Sequence, residues 1–312
     1  MKHSFPRFLL LTALTWHSTG FAQPSKQLEK EPQTTELFSK LSENSKWRKI
    51  AAIPLDFHTW HPQGLTKVGD VFFLTAVKVM RTPRRYEQPV NGFDRDTGEG
   101  EGLLFRFSAE GKLLDSLRLD HGSIYHPGGI DFDGKNIWVP VCEYRPFGNS
   151  IIYKVNPSTM QATAMDTLHD AIGAVAYNRQ SSTLAGMNWG SRKFYRWQLR
   201  EHRLQLENKE GTVNPHFYVD YQDCNYAGNG QMICSGLRAY QNSTGENIRL
   251  GGLEMIDMQS YTATMQWPVT EYSAKGTVMS QNPFYIESVN GKLQLFFIPD
   301  DNVSVMYIYR LE

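Results

Sequence analysis

The sequence predicts an all-β protein, a five-bladed β-propeller closed by an N-terminal strand that completes the last blade, with six blades as the alternative count. Three observations carry this reading. Short β-branched and aromatic runs alternate with Gly, Asn, Asp and Pro turns, and little of the chain shows helical periodicity. A degenerate repeat of roughly fifty residues recurs with the same order of turns and strands. The last repeat ends one strand short, while a strand of the right kind stands before the first. A β-sandwich or jelly roll also uses short strands, but neither predicts one strand of a four-strand period displaced to the other terminus.

The first repeat opens at His61-Pro62-Gln63-Gly64-Leu65, turns at Gly69-Asp70 and continues as Val71–Ala76. The second follows closely, from His126-Pro127-Gly128-Gly129-Ile130 through Asp133-Gly134-Lys135 to Asn136–Val141. The third opens at Asp170–Ala174 with Thr183–Met187, the fourth at Asp223–Tyr226 with Gln231–Cys234, and the fifth at Asn282–Ile286 with Lys292–Phe297. Outer strands follow at Leu103–Phe107 with Lys112–Leu119, Ile151–Val155 with Gln161–Met165, Lys193–Leu199 with Arg203–Glu207, and Gly252–Ile256 with Thr262–Trp267. The fifth repeat supplies only Val305–Leu311, and Lys46–Leu55 stands before His61 where Lys112–Leu119 stands before His126. Closure through that strand removes the exposed sheet edges of an open array.

Upstream, Lys2 and Arg7, the apolar run Phe8–Trp16 and the small residues Gly20 and Ala22 form the pattern of a secretory signal peptide, residues 1–22, cleaved after Ala22. Residues 23–43 are polar and Pro-containing and read as a flexible leader, with a short helix possible around Glu36 to Leu41. The propeller occupies residues 44–312 as a single domain. The expected location is therefore periplasmic or extracellular. No later run is long and apolar enough for a membrane span. The chain has 32 basic and 32 acidic residues, and loss of Lys2 and Arg7 leaves 30 against 32, which argues against nucleic-acid binding.

Three cysteines, Cys142, Cys224 and Cys234, allow at most one intramolecular disulfide. Cys224 and Cys234 lie symmetrically about Asn229, so a hairpin turning there makes them facing residues and the preferred pair; a one-residue slip would bring Cys142 into competition. No structural-zinc spacing, GxGxxG, P-loop, HExxH or GxSxG motif is present.

The stretches His126–Gly134 with Val139–Pro146, Asn188–Tyr195, and Tyr221–Cys224 with Met232–Leu237 resemble an uncharacterised secreted family, domain-of-unknown-function family 6454. The resemblance spans most of the expected mature chain and implies no particular catalytic residue.

In a propeller, the starts of the inner strands and the loops joining second to third strands share one face. The inner-strand starts place His61, His126, Asp170, Asp223 and Asn282 there, with His169 beside them. The loops add Arg81, Arg84, Arg85 and Tyr86, then Glu143, Tyr144 and Arg145, then Asn188, Trp189 and Arg192, then Arg238 and Tyr240, and finally Asp300 and Asp301. His61, His126, Asp170 and Asp223 are candidate ligands for a divalent cation, because imidazole and carboxylate both bind such ions. Arg145, Arg192 and Arg238 suit a carboxylate, phosphate or sulfate, since the guanidinium fork donates two parallel hydrogen bonds. Trp189, Tyr144 and Tyr86 offer stacking faces for a sugar. Glu143, Asp170 and Asp223 are the candidate catalytic carboxylates, and the long loop Met80–Gly102 is a candidate lid. The first expectation is binding of a small polar or anionic molecule, or a saccharide, at the mouth by His61, His126, Arg145, Asn188, Trp189, Arg192 and Arg238. The alternatives are a metal-assisted hydrolase or lyase and a protein-interaction scaffold.

Overall fold

The computed structural model describes residues 31–312, so the signal segment and the expected cleavage after Ala22 lie outside the described residues. In chain order, α1 (Glu31–Ser39) precedes β1 (Trp47–Pro54). Blade one contains β2 (His61–Val68) and β3 (Val71–Arg81), an inserted hairpin of β4 (Arg85–Val90) and β5 (Phe93–Arg95), then β6 (Glu99–Ser108) and β7 (Leu113–Arg118). Blade two contains β8 (Ile124–Pro127), β9 (Asp131–Phe132), β10 (Ile137–Glu143), β11 (Ser150–Val155) and β12 (Ala162–Leu168). Blade three contains β13 (Ile172–Asn178), β14 (Thr183–Asn188), β15 (Lys193–Arg200), β16 (Arg203–Leu206) and the short β17 (Thr212–Val213). Blade four is β18 (Asp220–Gly228), β19 (Gln231–Gln241), β20 (Asn247–Asp257) and β21 (Ala263–Val269). Blade five is β22 (Phe284–Val289), β23 (Lys292–Phe297) and β24 (Val305–Leu311), beside which lies β1. That last pairing is antiparallel and runs from Trp47 opposite Leu311 to Pro54 opposite Val305.

The architecture is therefore an all-β, five-bladed propeller. Its core is five separate apolar layers, one between each pair of neighbouring blades. Strand alternation produces them directly, because successive side chains leave opposite faces of a blade. On β3, Phe72, Leu74 and Ala76 face the layer shared with blade five, whereas Phe73 faces the layer shared with blade two. Each fully buried Phe or Leu contributes about 1.5–3 kcal/mol relative to exposure.

Two local features depart from the sequence reading. Part of the stretch expected to be a flexible leader is α1, which starts earlier than the helix expected around Glu36 to Leu41. It packs on blades four and five through Phe38, which is fully buried, and Thr35 donates to the carbonyls of Ala227 at 2.8 Å and Gly228 at 3.0 Å. The long loop Met80–Gly102 contains the β4–β5 hairpin, and β3 and β6 extend into it. Among the described residues no helix is long and apolar enough to cross a membrane.

The Gly-Gly step in the His-Pro-Gly-Gly start of blade two has a steric cause. Between β8 and β9 the chain leaves its own blade, and Gly129 N–H donates to Gly173 C=O at 2.9 Å while its own C=O accepts from Val175 N–H at 3.1 Å. A Cβ at Gly128 would stand 2.0 Å from the Gly173 oxygen, so only glycine admits this approach of blade two to blade three.

Candidate functional site

The acidic candidates divide by depth. Asp223 is fully buried on the channel axis, and its carboxylate accepts four backbone N–H groups, from Leu65 at 2.7 Å, Ile130 at 3.0 Å, Cys224 at 3.0 Å and Phe284 at 3.3 Å. Those donors belong to blades one, two, four and five. Asp131, which sequence reasoning did not single out, accepts from Tyr177 of blade three at 2.8 Å, from Tyr226 of blade four at 3.2 Å and from Phe132 at 2.9 Å. Together the two carboxylates join all five blades. Burial pushes the Asp223 carboxyl well above the ordinary range and the Asp131 carboxyl to about 6, against the N–H donors that favour ionisation. Asp170 is likewise used structurally, accepting from Ala171 N–H at 2.8 Å, the Asn188 amide at 2.9 Å and the Tyr195 hydroxyl at 2.8 Å.

The arginine candidates are each paired with a carboxylate. Arg145 grips Glu143 through Nε at 2.9 Å and a terminal nitrogen at 2.8 Å, and its guanidinium lies 3.5 Å from the Phe93 ring centroid of the inserted hairpin. Glu143 also accepts from the Ser123 hydroxyl at 2.7 Å. Burial works to raise the Glu143 carboxyl, and the bonds from Ser123, Arg145 and Asn149 outweigh it and hold it below the ordinary range. Arg192 and Arg238 share Asp220, at 2.7 Å and 3.4 Å. Among the described residues no group of three His, Cys, Asp or Glu side chains converges to hold a metal ion, and His61, His126, Asp170 and Asp223 do not form a common ligand set.

What remains open at the mouth is a smaller constellation. The first residue of β2, His61, meets Asp301 of the β23–β24 loop, with Nδ1 to Oδ1 at 3.0 Å and both side chains partly exposed. Asn282 donates its amide to the same Oδ1 at 3.0 Å. Burial works to raise the Asp301 carboxyl, but the hydrogen bonds and charges of His61, Asn282 and Lys275 hold it below the ordinary range. Beside this pair runs an aromatic stack. The His126 ring lies 4.2 Å from Tyr144, whose ring lies 5.5 Å from Trp189, and the His61 ring meets His126 edge-on at 6.2 Å. Burial, reinforced by the neighbouring His61 charge, lowers His126 to about 3 and keeps it neutral.

Two clefts share His61 and Tyr144. The wider, about 370 Å³, is lined by Trp60, Val77, Val79, Thr82, Asp301 and Asn302 with the shared pair. The narrower, about 160 Å³, reaches past Gln63 and His126 to Asn188, Trp189, Tyr221 and Gln222. Cys142 also lines it, as a buried free thiol that burial, with Glu143 and Asp170, pushes up to about 12, so it stays protonated and unreactive. Cys224 and Cys234 are directly opposed on β18 and β19 and joined by a disulfide.

Fold and mouth together define a five-bladed propeller with a polar, aromatic-lined opening. Within that class, the chain belongs to a family of unknown function, DUF6454, whose profile matches residues 28–311. No curated protein matches the chain significantly. Solved structures with a similar fold include a mannose phosphorylase from Leishmania mexicana, with TM-score 0.49 and 9% identity over 91% of this chain and 93% of that one. A GH43 endo-arabinanase from Bacillus licheniformis gives TM-score 0.48 at 9% identity, covering 83% of this chain and 96% of its own. A luciferin-regenerating enzyme gives TM-score 0.48 at 10% identity, covering 85% and 95%. None is similar enough to transfer an activity.

Proposed function

We propose that the protein binds a small polar molecule of the saccharide class in the two joined clefts at the mouth. One observation supports this above the others: an aromatic stack ending on Trp189 stands beside an accessible His61–Asp301 pair. Aromatic faces take the apolar face of a sugar ring, while His61, Gln63 and Gln222 offer hydrogen bonds to its hydroxyls. Neutral polyhydroxylated ligands fit better than strong anions, because Arg145, Arg192 and Arg238 already neutralise Glu143 and Asp220. Export is part of this reading, supported by the signal-peptide pattern and by the Cys224–Cys234 disulfide.

A thermal-shift screen of monosaccharides, sugar acids and sugar phosphates tests it. At a hundred times its dissociation constant a ligand stabilises the fold by about 2.7 kcal/mol, a rise of roughly 5–10 °C for a domain of this size. The shift should vanish in Trp189→Ala and shrink in Tyr144→Ala. A full shift retained in both variants would place the ligand elsewhere.

A further inference from the structure

The His61–Asp301 pair is held by a device that simple ligand binding does not require. Trp60, immediately before His61, has φ 54, and Asn302, immediately after Asp301, has φ 64. For a bulky aromatic this left-handed region is a real outlier, kept only where the surroundings impose it, and such outliers cluster at active sites. The two are bonded to each other: Asn302 N–H donates to Trp60 C=O at 2.6 Å, and Thr59 N–H donates to Asn302 C=O at 2.9 Å. The buried Thr59 hydroxyl adds a second bond to the Asn302 carbonyl at 3.2 Å. A strand start from blade one and a loop from blade five are thus locked together, with imidazole and carboxylate on the neighbouring residues. Behind them Asn282 fixes the Asp301 oxygen that faces His61. Base, orienting carboxylate and second support form a chain that ends at the meeting of two clefts.

We propose that His61 is the general base of a hydrolase acting on the carboxylic ester or lactone of a small polyhydroxylated molecule, with Asp301 as its positioning residue; this rests on the ligand reading above. With the Nδ1 proton donated to Asp301, Nε2 carries the free lone pair. Nε2 takes a proton from water as the water oxygen bonds to the carbonyl carbon, and the carbonyl electron pair moves onto its oxygen. That pair returns, the carbon–alkoxide bond breaks, and the leaving alkoxide takes the proton from His61. Ester and water become acid and alcohol, with no oxidant, reductant or co-reactant. Asp301 stabilises the imidazolium while it exists. Tyr144 lines both clefts, and burial with the Asp301 charge keeps its phenol protonated, so it can donate to the developing oxyanion. Hydrolysis of a glycosidic bond is a poorer fit, because it uses two free carboxyl groups, and Glu143, Asp170 and Asp223 are bound to internal donors.

The test uses the purified protein with para-nitrophenyl acetate and D-gluconolactone as probes, alongside binding of D-glucitol, a neutral polyhydroxylated analogue that cannot be hydrolysed, followed by Trp fluorescence. Hydrolysis of at least one probe above the buffer rate is expected. In His61→Ala kcat should fall about a hundredfold, within the usual range for a lost general base, and added imidazole should restore part of it. In Asp301→Asn kcat should fall about tenfold with KM within twofold, a split that a merely structural ion pair does not produce. If His61→Ala does not fold, Asp301→Asn carries the test alone. No hydrolysis of either probe, or rates unchanged in the folded variants, overturns the proposal. Saturable glucitol binding without turnover defeats the hydrolase and leaves the binding site standing, whereas absence of both defeats the two readings together.

Discussion

At the centre of the channel Asp223 accepts four backbone N–H groups and has no exposure, whereas at the mouth Asp301 accepts two side chains among the described residues and remains 46% exposed. Both carboxylates follow from propeller geometry, one at the start of an inner strand and the other in a second-to-third-strand loop. Their partners separate them. Backbone donors from several blades turn an aspartate into a joint between blades and consume its lone pairs. Side-chain donors on one edge leave a carboxylate able to polarise what binds next to it. The same residue type therefore supports the ring at one depth and faces solvent at another, and the number of backbone donors it receives tells which.

The largest expected effect is at the joint. Asp223→Ala strands four N–H groups in a site without water access, and a buried unsatisfied donor costs about 1–3 kcal/mol. Even the low end removes a large share of the 5–15 kcal/mol that a domain of this kind has in total. We expect no folded protein, or a melting temperature lower by about 10 °C or more. Asp301→Ala should cost about 1 kcal/mol or less, as exposed pairs do. Similar melting temperatures for the two variants would erase the contrast.

Next in size is a difference of sign with pH. Burial, outweighing the Arg179 charge and the backbone N–H donors, pushes the Asp131 carboxyl in the folded protein from 3.8 up to about 6. Between those values the folded state binds a proton that the unfolded state has released. This group's stabilising contribution is therefore complete below about pH 4 and is lost as pH rises through 6, a change of about 3 kcal/mol. Asp301 is shifted the other way, so its smaller contribution is lost as pH falls. Urea unfolding between pH 4 and 8 should give a stability difference, parent minus Asp131→Asn, that declines as pH rises, because the opposing shift of His126 and the raised Asp223 carboxyl are present in both proteins. Parallel profiles would mean that Asp131 is not the group responsible.

Much of the fold was legible because turns and strand alternation are local. Gly69-Asp70, Asp133-Gly134 and Asn290-Gly291 mark hairpins whose strands pair as the repeat implies. The mouth was legible only as a neighbourhood. His61, His126, Tyr144 and Trp189 could be placed on one face, and they meet in the two clefts. Arg145 pairs with Glu143 only two residues away, but the sharing of Asp220 by Arg192 and Arg238 depends on side-chain reach between blades three and four, which residue spacing does not encode. Asp131 was hidden because it follows the Gly-Gly step that carries the chain to the axis, a displacement no period reveals. The lock at Trp60 and Asn302 was hidden for a different reason: Asn adopts a left-handed backbone readily, but Trp does not announce one, and the bonds that join the two are tertiary.

The smallest expected effect decides whether the mouth is anionic in taste. Arg238 reaches Asp220 only at 3.4 Å, while Arg192 already holds the same oxygen at 2.7 Å and also donates to the His216 carbonyl at 3.1 Å. Burial works to raise the Asp220 carboxyl against both guanidinium groups. Removing the weaker partner leaves the stronger one in place. The Arg238 head also lies near the Phe217 and Tyr240 rings at 5.9 and 5.8 Å, contacts of small net value on a partly exposed surface. Arg238→Ala should therefore lower stability by about 0.5 kcal/mol, near the limit of a melting experiment. Affinity for any neutral sugar found in the screen should stay within twofold, in contrast to its loss in Trp189→Ala. The informative probe is a sugar phosphate measured at low and high salt, since a guanidinium contact to phosphate weakens as salt screens it. If Arg238→Ala abolishes a salt-sensitive phosphate shift while the fold melts normally, the arginine opens toward ligand rather than toward Asp220, and the mouth binds anions through the residues that the unliganded geometry assigns to structure.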